Sequence, residues 1–170
     1  MVIRLNSAPT KGFERSVGSK TTIRVCGRNQ ICDSESDAET VLRHLYSQGI
    51  LDRFIRDHKS YHGNSAPRLY AFHPSFTNYL MRIFPFDPSP AMTAVLLSMH
   101  LCVHVDLYGF AAPLKEHPPP SSQWGLDGRT AYWESGPPPR GAKDESPDPR
   151  ELETLEFLER LMAVRFSMTC

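Results

Sequence analysis

The first apolar positions of the chain fall in two short runs. Val2–Leu5 and Thr21–Val25 are rich in apolar and β-branched side chains, and each predicts a strand. The segment between them contains Pro9, Gly12 and Gly18, residues that are typical of turns. The chain therefore opens with two predicted strands joined by an irregular connection.

A helical pattern is predicted next. Ser36 and Glu39 have the spacing of a capping box, which marks the start of a helix. The apolar positions that follow, interrupted at Gly49, are Val41, Leu42, Leu45, Leu51, Phe54 and Ile55. Their spacing near 3.6 residues predicts a helix from about residue 39 that resumes after the glycine.

The middle of the chain alternates strand and helix. Arg68–Phe72 predicts a strand that ends at His73-Pro74, because the residue before a proline disfavours helix. A helix ending before Pro85 is predicted from four apolar positions: Phe76, Tyr79, Leu80 and Ile83. Together with the segments on either side, this alternation predicts an α/β fold with a mostly parallel central sheet flanked by helices.

The next unit has a clear helix start. Ser89 suits an N-cap, and Pro90 suits the first helical position because its missing N–H would be unpaired there anyway. Residues 91–102 are apolar nearly all round, which is typical of a buried helix. Val105–Phe110 then predicts another strand.

The last third begins with a proline-rich segment. Pro113–Pro149 contains nine of the fifteen prolines and predicts irregular or polyproline-like surface structure. Glu151–Met162 then predicts an amphipathic helix. Its inward-facing leucines are Leu152, Leu155, Leu158 and Leu161. The length of 170 residues predicts one domain, or part of one, spanning 1–170.

Composition narrows the class of protein. Lys+Arg and Asp+Glu both number 19, so the formal net charge of +0 argues against a nucleic-acid partner. A hydrophobic content of 40% is enough for a core and excludes wholesale disorder. No stretch approaches the ~20 apolar residues of a membrane helix, and no targeting signal is present in this sequence.

The cysteines leave two alternatives open. Cys26 and Cys32, separated by five residues, are able to form a small bridge in an extracytoplasmic protein, whereas a cytosolic protein would keep them as small apolar residues. Cys102 and Cys170 are further disulfide candidates. No metal site is predicted, because the acids at 33, 35 and 37 lack the glycine of a calcium loop and favour a helix N-terminus instead.

Three segments together resemble the eukaryotic-type sialyltransferases, glycosyltransferase family 29. Arg4–Thr22 resembles the second half of the large sialylmotif, with Asn6-Ser-Ala-Pro-Thr-Lys-Gly at its centre. Arg68–Phe110 resembles the small sialylmotif, and Tyr132-Trp133-Glu134 resembles the short third motif. Their order and spacing agree with the family across nearly the whole chain. The resemblance implies a Rossmann-like, glycosyltransferase-A-like variant fold.

The resemblance also implies an activity. Such enzymes transfer sialic acid from CMP-sialic acid to a hydroxyl of a glycoprotein or glycolipid glycan, with inversion and without a metal or other cofactor. It implies that Asn6 contacts the nucleotide and that Ser89, Pro90 and Ala91 line its pocket. A helix N-terminus suits this anionic donor because its N–H groups and dipole favour negative charge. Further donor-binding positions implied by the motifs are Ala111, Tyr132, Trp133 and Glu134.

Several residues depart from the family pattern. Pro90-Ala91 stands where Thr-Gly is usual, Ala111 stands where glycine is usual, and Ala131 replaces the histidine that helps to neutralise the phosphate. Proline offers no N–H to the donor, and alanine adds a methyl group where the backbone should approach closely.

The catalytic base is also changed. The family has a histidine followed five positions later by glutamate, and Asp148 and Glu153 have that spacing here. An ionised aspartate is a weaker base than imidazole, but carboxylates do such work in glycosidases. These changes leave an alternative open: a catalytically impaired or inactive relative that binds nucleotide or glycan.

The resemblance finally implies a partial catalytic domain. The first half of the large motif is missing from this sequence, and with it the cysteine that pairs in the family with the small-motif cysteine, here Cys102. The family resides in the lumen of the Golgi apparatus. Its N-terminal membrane anchor is likewise not part of this sequence.

Overall fold

The computed structural model describes residues 1–27, 32, 34–45, 47–60, 68–108, 149–161 and 165–167. They form two compact units, Met1–Ser98 and Met99–Cys170. The elements of the first unit are β1 (Ile3–Leu5), α1 (Glu14–Val17), β2 (Ile23–Cys26), β3 (Thr40–Arg43), α2 (Gln48–Ser60), β4 (Arg68–Ala71), α3 (Pro74–Ile83) and α4, which runs through the unit boundary (Pro90–Leu101).

The first unit is built on a four-stranded parallel sheet of order β1-β2-β3-β4. Its register places Arg24 of β2 beside Arg4 of β1 and Val41 of β3. This sheet confirms the predicted α/β class, and β1, β2, β4, α3 and α4 lie where the sequence predicts them.

Helices cover both faces of the sheet. Val25 of β2 packs with Phe72 and Ala94, so α4 lies on one face. Cys26, the next residue of β2, packs with residues of the opposite face, and Phe54 of α2 joins them. A parallel sheet is normally buried in this way, because its crossover helices pack against the strands on both sides.

The predicted helix around residues 39–45 is wrong. Thr40–Arg43 is strand β3, and α2 begins only at Gln48, so Gly49 lies in its first turn rather than interrupting it. β3 lies between two other strands and is buried on both faces, so its apolar residues are consecutive and mimic a helical pattern. Glu39 binds Arg24 instead of closing a capping box.

The second unit contains β5 (Asp106–Tyr108), α5 (Pro149–Arg160) and β6 (Arg165–Ser167). β5 and β6 pair in parallel as a separate two-stranded sheet. The predicted amphipathic helix is present as α5, and Leu155 is buried in it. Leu161 is 61% exposed, which contradicts its predicted inward position, because α5 ends at Arg160.

Among the described residues, no helix combines the length and the apolar character needed to cross a bilayer. The predicted proline-rich segment lies outside the described residues, apart from Pro149, which begins α5.

Candidate functional site

Asn6, the residue that follows β1, has left-handed backbone geometry. Its φ of 50° lies in a region that asparagine adopts more readily than most side chains. Its N–H donates a hydrogen bond of 2.8 Å to the carbonyl of Val25 in β2. The polypeptide therefore turns sharply at the carboxyl end of β1, and the Asn6 side chain is presented at that edge of the sheet.

The Asn6 side chain is fixed by the end of the neighbouring strand. Gly27, which follows β2, donates its N–H to Asn6 Oδ1 at 2.7 Å. A backbone N–H is always a donor, so the bonded atom must be the amide oxygen, and Nδ2 is left with two donor hydrogens. Within the described residues no hydrogen bond engages Nδ2, so it is available to a ligand.

The N-terminus of α4 meets Asn6 at Gly27. A Cβ built on Gly27 would lie 3.0 Å from Asn6 Oδ1 and 3.1 Å from Pro90 Cγ. The close approach of the Asn6 amide and the Pro90 ring favours glycine here, because a side chain would have to displace one of them by a few tenths of an ångström. The structure thus brings together two of the predicted donor-binding residues, Asn6 and Pro90.

Ser89 accepts hydrogen bonds from two backbone amides at the start of α4. Its Oγ accepts a hydrogen bond of 3.1 Å from the Met92 N–H, and its carbonyl accepts one of 2.9 Å from the Thr93 N–H. Pro90 has no N–H. The Ala91 N–H is therefore the first-turn donor that Ser89 and Pro90 leave for an anion, aided by the helix dipole.

A buried arginine supports the Asn6 turn. Arg24 of β2 is 0% exposed, and its Nη1 donates to the carbonyls of Asn6 and Ala8, both at 2.9 Å. Its Nε lies 2.9 Å from Glu39 Oε2, and its Nη2 lies 3.2 Å from Glu35 Oε2. The guanidinium therefore joins the turn after β1 to two carboxylates from the segment before β3.

Glu35 holds the far end of the same turn. Its carboxylate accepts hydrogen bonds from the N–H and hydroxyl of Thr10, each at 2.9 Å, and from the Lys11 N–H at 3.3 Å. Burial acts to raise the pKa of Glu35, but these hydrogen bonds and the charge of Arg24 outweigh it and hold the pKa below its usual value. Glu35 thus stays ionised.

A disulfide closes the segment that carries Gly27. Cys26 is joined to Cys32 with Cα atoms 5.8 Å apart, and both residues are buried. The sequence left open whether these cysteines form a disulfide or remain free thiols, and in the structure they form the disulfide. Gly27 directly follows the bridged Cys26, so the disulfide lies next to the amide that binds Asn6.

Most of the remaining predicted site residues lie outside the described part of the chain. Ala111, Tyr132, Trp133, Glu134, Asp148 and Cys170 lie outside the described residues. Glu153 is exposed on α5, in the second unit. Cys102, also in that unit, is a free and partly buried thiol in the described part of the chain.

The sequence does not predict four contributors to the turn after β1: Arg24, Gly27, Glu35 and Glu39. The acids at 35 and 37 are expected from the sequence to favour a helix N-terminus rather than a metal; Glu35 instead binds Thr10 and Arg24, and Asp37 is exposed. Among the described residues, no group of three or more metal-binding side chains is arranged to hold an ion. The sequence did contain one indication of this network: Arg24 lies inside a predicted strand, and an arginine that is buried in a strand requires a buried partner.

Together these features are typical of open α/β proteins that bind an anionic ligand at the carboxyl ends of parallel strands. Asn6 and Gly27 follow adjacent parallel strands, at the edge of the sheet where open α/β proteins bind ligands. Asn6 Nδ2 and the Ala91 N–H at the helix N-terminus are donors that suit an anionic ligand such as a nucleotide phosphate.

Comparison with known proteins gives the family. Residues 1–124 match the model of glycosyltransferase family 29 (sialyltransferase), and the chain belongs to this family. The chimpanzee CMP-N-acetylneuraminate-beta-galactosamide-alpha-2,3-sialyltransferase 1 is 29% identical over 165 residues, which cover 80% of this chain. The mouse beta-galactoside alpha-2,6-sialyltransferase 1 is 30% identical over 142 residues, or 64% of this chain.

A solved structure shares the fold. A mammalian sialyltransferase crystallised with Gal-beta-1-3GalNAc-ortho-nitrophenol has a TM-score of 0.67 at 23% identity, covering 100% of this chain and 61% of that one. The present chain spans 41% of the length of the chimpanzee relative.

Proposed function

We propose that this chain forms the nucleotide-binding part of a sialyltransferase catalytic domain. The domain would transfer sialic acid from CMP-sialic acid to a hydroxyl of a glycoprotein or glycolipid glycan, with inversion and without a metal. Family membership supports this proposal, as do relatives named for sialyl transfer in both α2,3 and α2,6 linkage. The observation that carries it is the meeting of Asn6 and the tip of α4 at Gly27.

Two donors of the first unit would bind the CMP group. Asn6 Nδ2 is available because Oδ1 is occupied by Gly27, and it donates to an acceptor on the nucleotide. The Ala91 N–H at the start of α4 faces the negative charge of the phosphate. Ala111, Tyr132, Trp133 and Glu134 are proposed to complete the donor site.

The chemical step requires a base near the acceptor hydroxyl. In the proposed mechanism Asp148 takes the hydroxyl proton as the oxygen bonds to the anomeric carbon of sialic acid, and the bond to CMP breaks with its electron pair leaving on the phosphate. Glu153, at the matching family position, is proposed to assist. Carboxylates serve as general bases in this kind of displacement at a sugar carbon.

We further propose the lumen of the Golgi apparatus as the compartment. The Cys26–Cys32 disulfide supports it, because disulfides persist in the oxidising secretory pathway and are rare in the cytosol.

One observation favours a second candidate, a relative that binds CMP or glycan without turnover. Pro90 contributes a ring instead of an N–H donor at the start of α4, beside Gly27. Loss of one preorganised donor at a reacting centre costs about 10²–10³ in rate. Binding need not be lost to the same extent.

Titration of the complete protein with CMP tests the proposed site. Asn6→Asp keeps an acceptor for the Gly27 N–H and tolerates the left-handed backbone, but it replaces the Nδ2 donor with a negative charge. We expect CMP affinity to fall by about tenfold or more, since a hydrogen bond to a charged group contributes roughly 1.5–3 kcal/mol. The matched control is Asn78→Asp at an exposed position of α3.

Equal CMP affinity for Asn6→Asp and the parent protein would refute the proposed site. Release of CMP from CMP-sialic acid with a galactoside acceptor then separates the two candidates. Turnover that is abolished by Asp148→Asn supports the enzyme and its base. Tight CMP binding without any turnover supports the non-catalytic relative.

A further inference from the structure

Strand β2 and the residue that follows it fix Asn6 at three of its atoms. The Val25 carbonyl accepts from the Asn6 N–H at 2.8 Å, Arg24 Nη1 donates to the Asn6 carbonyl at 2.9 Å, and the Gly27 N–H donates to Oδ1 at 2.7 Å. Nδ2 alone remains for a ligand. Its direction is therefore set by three hydrogen bonds, of which one comes from a side chain.

That side chain, Arg24, is held on its other side by carboxylates. Glu39 accepts from Nε at 2.9 Å and from Nη2 at 3.4 Å, and Glu35 accepts from Nη2 at 3.2 Å. Glu39 is 2% exposed, so water contributes little to solvating either charge. A planar guanidinium with five N–H groups is able to serve two carboxylates and two carbonyls at once, which an ammonium group is not.

The same arginine also orients the rest of the turn. Arg24 Nη1 binds the Ala8 carbonyl at 2.9 Å, and Glu35 extends the network to the N–H and hydroxyl of Thr10. The turn after β1 is thus anchored at residues 6, 8 and 10 by one connected group of charges. A residue held in the left-handed region persists when its surroundings fix it in this way.

We propose that Arg24 is a positioning residue for the nucleotide site. Through the Asn6 carbonyl it holds the backbone that aims Nδ2, while Glu39 and Glu35 hold Arg24. The inference rests on the proposed function, because the nucleotide is the ligand that Asn6 would bind. Arg24 makes no contact with that ligand and acts only through Asn6.

The test substitutes Arg24→Lys in the complete protein and uses Arg43→Lys as its matched control. Lysine retains the positive charge beside Glu39 but cannot reach the Asn6 and Ala8 carbonyls together with the carboxylates. Arg43 is likewise a buried strand arginine, paired with Asp57 of α2, and it does not contact the Asn6 turn.

Two readouts are measured. Amide hydrogen exchange at Asn6 and Gly27 reports the hydrogen bonds that fix the side chain, without any ligand. Titration with CMP measures the affinity of the proposed nucleotide site. We expect Arg24→Lys to speed both exchanges and to weaken CMP binding by about tenfold, the effect of losing roughly one hydrogen bond to a charged group. Arg43→Lys should leave the exchange of both amides and the CMP affinity within about twofold of the parent.

Folded Arg24→Lys with unchanged exchange at Asn6 and Gly27 and unchanged CMP affinity would overturn the inference. If this variant does not fold, Arg24→Met with Glu39→Gln is measured by the same two readouts, because removing both buried charges leaves only Glu35, which is partly exposed and keeps its hydrogen bonds to Thr10. Unchanged exchange and affinity in that double variant would equally overturn the inference. Failure of the parent protein to bind CMP would refute the proposed function instead. In that case amide exchange alone decides whether Arg24 positions Asn6.

Discussion

Gly27→Ala gives the sharpest test of the site's packing. The added Cβ would meet Asn6 Oδ1 at 3.0 Å, Pro90 Cγ at 3.1 Å and Asn6 Cγ at 3.8 Å. Neither neighbour yields easily, because Asn6 is held by β2 and Pro90 is a ring in the first turn of α4. The methyl group must therefore displace one of them by a few tenths of an ångström.

The change in the free energy of unfolding that we expect for Gly27→Ala has two contributions. Inserting a methyl group into a tightly packed region costs about 1–3 kcal/mol. Displacing Asn6 also weakens the 2.7 Å hydrogen bond from Gly27, a loss of about 1 kcal/mol. We expect the free energy of unfolding to fall by about 2–4 kcal/mol and CMP binding to weaken along with it.

Urea denaturation followed by far-ultraviolet circular dichroism measures the change in stability. Gly49→Ala is the control, because a Cβ at Gly49 of α2 meets nothing within 4 Å. Because alanine favours a helix more than glycine does, Gly49→Ala should raise the free energy of unfolding by about 0.5–1 kcal/mol, whereas Gly27→Ala should lower it. The reasoning fails if Gly27→Ala is as stable as the parent and binds CMP equally well.

Three further predictions concern residues around the same site. Glu35→Gln should reduce the loss of stability at low pH. Folding lowers the pKa of Glu35 from 4.5, so the ionised carboxylate stabilises the fold above that value, and this contribution is lost as the pH falls through the lowered pKa. The free energy of unfolding, measured from neutral to acidic pH, checks this. Ser89→Ala removes the N-cap of α4 and should cost about 1 kcal/mol in thermal or urea unfolding, with Ser75→Ala as a capping-independent control in α3. Cys26→Ser with Cys32→Ser opens a short loop and should lower the free energy of unfolding by about 2 kcal/mol, whereas an unchanged urea midpoint would contradict it.

Much of the first unit is predictable because its signals are local. Ser89 and Pro90 predict the start of α4, and in the structure Ser89 is the N-cap and Pro90 is the first helical residue. The end of β4 is similarly marked by His73-Pro74, where His73 becomes the N-cap of α3. In each case the residues that decide the structure are neighbours in the chain.

The errors arise where the deciding partner is distant. Thr40–Arg43 reads as helix because a strand buried on both faces lacks alternation, and only its pairing with β2 and β4 makes it a strand. β6 (Arg165–Ser167) was not predicted, and its partner β5 lies more than fifty residues earlier. Glu39 shows the same effect in a single side chain, since its partner Arg24 lies 15 residues upstream.

Candidate site residues divide in the same way. Asn6, Ser89 and Pro90 are found from motif resemblance, because each lies in a recognisable local segment. Arg24 and Gly27 depend on the register between β1 and β2, which brings their atoms to Asn6. The motif therefore gives the residue that is proposed to bind the nucleotide, whereas the residues that orient it are found only in the folded sheet.

The geometry at Gly27 also changes the meaning of Pro90. From the sequence, proline at the start of α4 is a lost donor. In the structure its Cγ lies 3.1 Å from the position that a Gly27 Cβ would occupy, so the ring fits where residue 27 has no side chain. Since Ser89 already binds the Met92 and Thr93 amides, the proposed donor site relies in this unit on Asn6 Nδ2 and the Ala91 N–H. We therefore expect CMP affinity to depend directly on the orientation of Asn6, which is set by β2 and Gly27.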